Sequence, residues 1–99
     1  MSKLKIRPSK KRVQRKAYYF YLLKCKDGTL YSGIAKDIFA REKLHNLGKG
    51  SVYVRSHGGG RIIYYEKKMS LSRALKREIE IKKWPRHKKL SLLSSLKVK

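Results

Sequence analysis

The chain has 99 residues, one cysteine and 40% hydrophobic content, with 28 Lys or Arg against 6 Asp or Glu for a formal net charge of +22. That length makes one domain with a modest core, and a charge beyond anything solubility calls for predicts a polyanionic partner, nucleic acid first. The lone Cys25 excludes an internal disulfide or a zinc ribbon, and no apolar run reaches the roughly 20 residues of a membrane span, so a soluble, cytoplasmic protein is expected.

Residues 1–16 hold eight Lys or Arg, no acid and little apolar material. They read as a disordered basic arm that tracks phosphates without regard to sequence, ahead of a domain over residues 17–96. The run Tyr18 to Cys25 predicts a first strand, with Tyr19, Tyr21 and Leu23 on one face and Tyr18, Phe20 and Leu22 on the other. Apolar on both faces, it should lie centrally in its sheet. The turn signal Asp27-Gly28 leads into a second strand, Leu30 to Ile34, which completes a hairpin. A two-residue loop would put Tyr21 and Tyr31 on opposite faces. A three-residue loop, Lys26-Asp27-Gly28 with Gly28 left-handed, pairs Tyr21 with Gly33 and Leu23 with Tyr31 and brings both phenols to one side.

A helix follows, with Asp37 as N-cap and Gly48 as stop. Arg41 and His45, four residues apart, share one of its faces. Two phenols beside a guanidinium and an imidazole make a candidate site for phosphate chemistry. Residues 46–60 read as loop with a helical turn near Val52 to Arg55, where Tyr53 offers a stacking ring and Arg55 a phosphate contact. His57, with no partner at metal-ligand spacing, reads as a loop residue. A third strand is expected over residues 61–66, then a helix capped by Ser70, running from Leu71 to about Trp84 and ended by Pro85. Within it Leu71, Ala74, Leu75, Ile79 and Ile81 form an apolar arc with Glu78 at its middle. A core-facing carboxylate is costly unless it is paired, for instance with Arg41, or binds a metal. Ser91 to Leu96 reads as a final helix whose leucines close the core.

Tyr19-Phe20-Tyr21, then Tyr31-Ser32-Gly33, Arg41, His45 and Glu78 together resemble the GIY-YIG nuclease superfamily, in its small single-domain YhbQ/URI-type branch. The wording is visible in "YFYLLKCKDGTLYSGI", "HNLGKGSVYVR" and "ALKREIEIKKW", and the resemblance covers about residues 17 to 92. It implies an α+β fold: a small three-stranded antiparallel sheet flanked by helices in the order ββααβα, with a terminal helix added. It implies a metal-dependent DNA endonuclease, of use in repair or recombination. One Mg2+ or Mn2+ ion would sit on Glu78 and the scissile phosphate, Tyr21 or Tyr31 would act as general base, Arg41 would clamp phosphate oxygens and His45 would orient the nucleophile. Two positions depart from the related pattern. Ile34 stands where the repair-nuclease domain has a lysine, leaving Lys36 as its substitute, and no asparagine follows the glutamate helix in Trp84 to Lys89. The competing reading is a nucleic-acid-binding module that cleaves weakly or not at all. With no specificity domain in view, a protein partner or an intrinsic preference for DNA structure would supply targeting.

Overall fold

The structure is a computed structural model and describes residues 17–68 and 70–94; the basic arm expected over residues 1–16 lies outside them. Three antiparallel strands, β1 (Tyr18–Cys25), β2 (Leu30–Ala35) and β3 (Gly60–Lys68), pair in the order β2-β1-β3. The fold is thus α+β with β1 in the centre. Apolar side chains on both faces of β1 require this, since each face must be covered. Phe20 and Leu22 have no exposed surface on one side, and on the other Leu23 has none and Tyr21 is 1% exposed.

The hairpin uses the three-residue loop. The Cys25 N–H donates to Thr29 O, the Gly28 N–H donates to Cys25 O, and Gly28 has φ +91, a conformation glycine adopts at no steric cost. Register follows from that loop: Tyr21 pairs with Gly33 and Leu23 with Tyr31. On the other side of β1, Leu22 pairs with Tyr64 and Leu23 with Ile62, so Ile63 is the extra residue of a bulge. The bulge sends Ile62 to the Tyr21 face, whereas Ile63 and Tyr64 pack on the Phe20 face.

Between β2 and β3 run α1 (Ile38–Asn46) and α2 (Val52–Ser56), and after β3 come α3 (Leu71–Lys82) and α4 (Arg86–Ser91). Asp37 caps α1 by accepting from the Ala40 N–H, Ser51 caps α2 by accepting from the Val54 N–H, and Ser70 caps α3 by accepting from the Arg73 N–H. Each capping oxygen satisfies a donor that the first turn leaves without an intrahelical partner. Gly48, at φ +78, stops α1. Ile38 of α1 and Val54 of α2 join the Tyr21 face of the sheet, and Ile81 of α3 joins the Phe20 face with Leu92 and Leu93 beyond α4.

Several expectations shift. The third strand is longer than residues 61–66 at both ends. The α3 helix stops at Lys82, before Trp84. A short helix also forms on the basic run Arg86–Ser91, with Pro85 at its N-cap supplying a preset φ; helical backbone resumes at Leu93 and Ser94 within the expected final helix, and Leu96 lies outside the described residues. The apolar arc of α3 is the largest correction. Ala74 and Ile81 are buried, but Leu71, Leu75 and Ile79 are 42%, 39% and 55% exposed. Ala74 and Ile81 stand within about 20° of each other around the helix and centre the packed face, so Glu78 lies at the border of that face and not in its middle.

Candidate functional site

Gly33 decides how the site is built. A Cβ there would come within 2.6 Å of both Cζ and Oη of Tyr21. Only a residue without a side chain lets the Tyr21 ring cross the backbone of β2 and carry its oxygen to that strand's outer edge. There the Tyr21 hydroxyl and Nε2 of His45 share a buried hydrogen bond of 2.9 Å. His45 reaches it from α1 and is 2% exposed. At the other ring nitrogen the backbone N–H of Ser51 donates to His45 Nδ1 at 3.3 Å. The loop comes this close because Gly50 has no Cβ to collide with the imidazole.

Tyr31 stands beside this pair, its ring centroid 6.3 Å from that of Tyr21 and 5.5 Å from that of His45. Both phenols do face the same side. Arg41, one turn before His45, lies near enough for its charge to act on Tyr21. Burial pushes the Tyr21 phenol well above the ordinary tyrosine value, with Tyr31 and Glu78 raising it further and Arg41 opposing them. Burial, aided by the Arg41 charge, pushes the His45 imidazole below its usual value and keeps it neutral. Tyr21, Tyr31, Arg41 and His45 therefore form one cluster on the α1 side of the sheet.

Glu78 approaches from the opposite face. The helix that carries it packs on β1 and β2, and its charge is felt at the Tyr21 oxygen. The Glu78 side chain is 16% exposed, and its Oε2 pairs with Lys82 Nζ at 3.4 Å, one turn along the same helix. The pairing expected as the alternative to metal binding is present, then, but with Lys82 in place of Arg41. Among the described residues no three His, Cys, Asp or Glu side chains group closely enough to enclose an ion. The donor set near Tyr21 is a single carboxylate, which suits Mg2+ or Mn2+, ions that keep most of their waters and need few protein oxygens.

The expected nucleic-acid contacts lie further out. Tyr53 is 41% exposed, stacks on Tyr31 at 5.7 Å between centroids and touches His57 at 4.2 Å. Arg55 is exposed on α2 with its side chain against Gly48. Lys36 is exposed, its ammonium 5.5 Å from the Tyr18 ring.

Three contacts escape a reading of the sequence. His57 Nδ1 pairs with Asp27 Oδ2 at 2.5 Å and ties the hairpin turn to the end of α2; the His57 contact holds the Asp27 carboxyl down at about 2, helped by hydrogen bonds from Thr29. Arg86 donates to Gly28 O at 2.8 Å and holds the same turn from α4. Ser51 meets His45 through its backbone amide, for which no side-chain pattern is a signal. The other two join residues 30 and 58 positions apart, separations at which no periodicity operates.

Comparison with known proteins agrees with this fold. The GIY-YIG catalytic domain family matches residues 17–91. The UPF0213 protein SSP2268 of Staphylococcus saprophyticus is 48% identical over 77 residues, which is 78% of this chain and 94% of that one. A UPF0213 protein of Staphylococcus aureus is 44% identical over the same coverage. Among solved structures, the solution NMR structure of the UPF0213 protein BH0048 from Bacillus halodurans superimposes with a TM-score of 0.51 at 38% identity, over 79% of this chain and 83% of that one. A central strand carrying Tyr21 over a glycine, with Tyr31, Arg41, His45 and a helix glutamate arranged about it, sits inside the matched segment, and the chain belongs to the GIY-YIG catalytic domain family, a family of nuclease type.

Proposed function

We propose that this chain is a metal-dependent endonuclease that hydrolyses phosphodiester bonds in DNA, in the cytoplasm and in the service of repair or recombination. The observation that carries the reading is the buried Tyr21–His45 hydrogen bond with Arg41, Tyr31 and Glu78 about it. A fold does not require a phenol, an imidazole, a guanidinium and a carboxylate in one neighbourhood, whereas phosphodiester cleavage uses a base, a phosphate clamp and a metal ligand. A Mg2+ or Mn2+ ion held by Glu78, water and the substrate would neutralise developing charge and assist the leaving oxygen. Arg41 takes the non-bridging oxygens, which match its forked donors. Tyr21 serves as general base and accepts the proton of the attacking water. In the free protein it is held protonated, and Glu78 is one of the groups that hold it so. Neutralising the Glu78 carboxylate would remove the least of those influences, and Arg41 would offset part of the burial and Tyr31 effects that remain. Tyr21 must then give its phenol proton to solvent before it acts as base. Lys36, Tyr53 and Arg55 extend the surface along the nucleic acid, and targeting comes from the shape of the DNA or from a protein partner.

One observation favours a second reading, a nucleic-acid-binding module with little cleavage: Glu78 is already paired with Lys82. Cleavage of labelled duplex, single-stranded, flap and junction DNA in Mg2+, Mn2+ or EDTA separates the two. The wild-type protein is compared with Glu78→Ala, and binding is followed at one salt concentration. Metal-dependent cleavage should fall by at least about 100-fold in Glu78→Ala while binding is kept. Tight binding with no cleavage of any substrate would leave the binding module.

A further inference from the structure

We infer that the backbone amide of Ser51 fixes His45 as its Nε2–H tautomer, so that His45 donates to the Tyr21 oxygen and does not accept from it. A backbone N–H can only donate, and that of Ser51 points at Nδ1. Nδ1 must therefore carry a lone pair, and a neutral imidazole then bears its single proton on Nε2. The 2.9 Å contact between Nε2 and the Tyr21 oxygen runs from histidine to tyrosine. The phenol oxygen is thus the acceptor of its buried hydrogen bond. Its own hydrogen is turned away from His45.

Ser51 and Gly50 are therefore positioning residues. Gly50 leaves room for the loop to lie against the imidazole, and Ser51 opens α2 with its hydroxyl committed to the Val54 N–H. The short helix and the tautomer are set by one residue through two different atoms. A donor at Nε2 stabilises the phenolate and does nothing to remove a proton from the phenol. His45 accordingly supports Tyr21 as a base and is not a base itself; this catalytic consequence rests on the nuclease reading above, but the tautomer does not.

The test is long-range 1H–15N correlation of the histidine ring in the free protein at neutral pH. Wild type should show His45 with its proton on Nε2 alone. Ser51→Ala, which keeps the amide N–H and loses the cap, should show the same tautomer. Ser51→Pro, which loses the N–H, should show Nδ1–H appear or the tautomers interconvert. A wild-type His45 with its proton on Nδ1, or an even mixture, overturns the inference, and this spectrum decides even where Ser51→Pro fails to fold. In cleavage assays His45→Gln, whose amide nitrogen can stand where Nε2 does, should stay within about 10-fold of wild type while His45→Asn loses about 100-fold or more. Equal losses would overturn the role assigned to the donor. An Nε2–H tautomer in a protein that cleaves nothing leaves the tautomer standing and removes the nuclease.

Discussion

At Gly33 the absence of one carbon is what allows the Tyr21 oxygen to reach the strand edge. Gly33→Ala forces either the Tyr21 ring or β2 to move, at about 2 kcal/mol of stability by analogy with overpacked cores. Cleavage should fall more steeply than stability accounts for, because the phenol and His45 no longer meet; thermal unfolding and cleavage measured side by side check this. Ser32, its neighbour, tells the opposite story. It is 4% exposed, and its hydroxyl has no hydrogen-bond partner among the described residues. Such a group gains nothing from the fold and has lost its water. Ser32→Ala should leave stability unchanged or raise it by up to about 1 kcal/mol, and a loss of that size on denaturant titration would reveal a partner for the hydroxyl.

Helix α3 is oriented by a clamp on the sheet face away from Tyr21. Arg77 donates through Nε and Nη2 to both carboxylate oxygens of Glu66 on β3, at 2.9 and 2.8 Å, and through Nη1 to Glu80 at 3.0 Å. Tyr64 donates to the same Glu66 at 2.5 Å, and Lys68 stands 3.2 Å away. This planar, two-pronged contact fixes rotation about the helix axis, and Glu78 follows Arg77 by one residue. Burial opposes ionisation of Glu66, yet the hydrogen bonds from Arg77, Tyr64 and Lys68 win and hold it down at about 2, against an ordinary 4.5. Below its ordinary value the unfolded chain takes up a proton that the folded one refuses. The clamp's contribution is thus complete above about pH 4.5 and is lost as pH falls toward 2. It amounts to something on the order of 2–3 kcal/mol, and Glu66→Gln should reduce the acid sensitivity in that window, which Asp27 shares, when unfolding is followed across pH. Glu66→Gln should also reduce cleavage, since Glu78 loses its fixed bearing on Tyr21.

Over the whole molecule the charge of +22 would govern how the proposed nuclease meets its polyanionic substrate. Lys24 and Arg61 stand directly opposite each other on the β1–β3 ladder, a like-charge pairing that costs the free protein stability and that a bound polyanion would relieve. Arg61→Thr should raise stability by a few tenths of a kcal/mol and flatten the slope of log K against log salt by about one contact, roughly 0.9. Deleting residues 1–16 should flatten that slope by several contacts and leave sequence or structure preference untouched, because phosphate contacts position without specifying. Titrations at three or more salt concentrations measure both.

Much of this was legible along the chain because the signals were local. The loop that aligns Tyr21 with Tyr31 follows from the placing of Asp27 and Gly28, the caps at Asp37 and Ser70 from side chains within one turn of the amides they satisfy, and the central place of β1 from its two apolar faces. Short-range hydrogen bonding and period-two burial act over a few residues, so they are written in order. What needed the folded chain is what joins distant segments. The rotation of α3 set by Glu66, the exposure of Leu71, Leu75 and Ile79, the Lys82 partner of Glu78, the Asp27–His57 tie and the Ser51 amide on His45 all depend on which surfaces meet. An apolar arc drawn on an isolated helix cannot know that a two-pronged ion pair on its flank will turn it toward Ala74 and Ile81. Local periodicity decides which elements form; packing between elements decides which of their side chains face one another, and the candidate chemistry lies in those encounters.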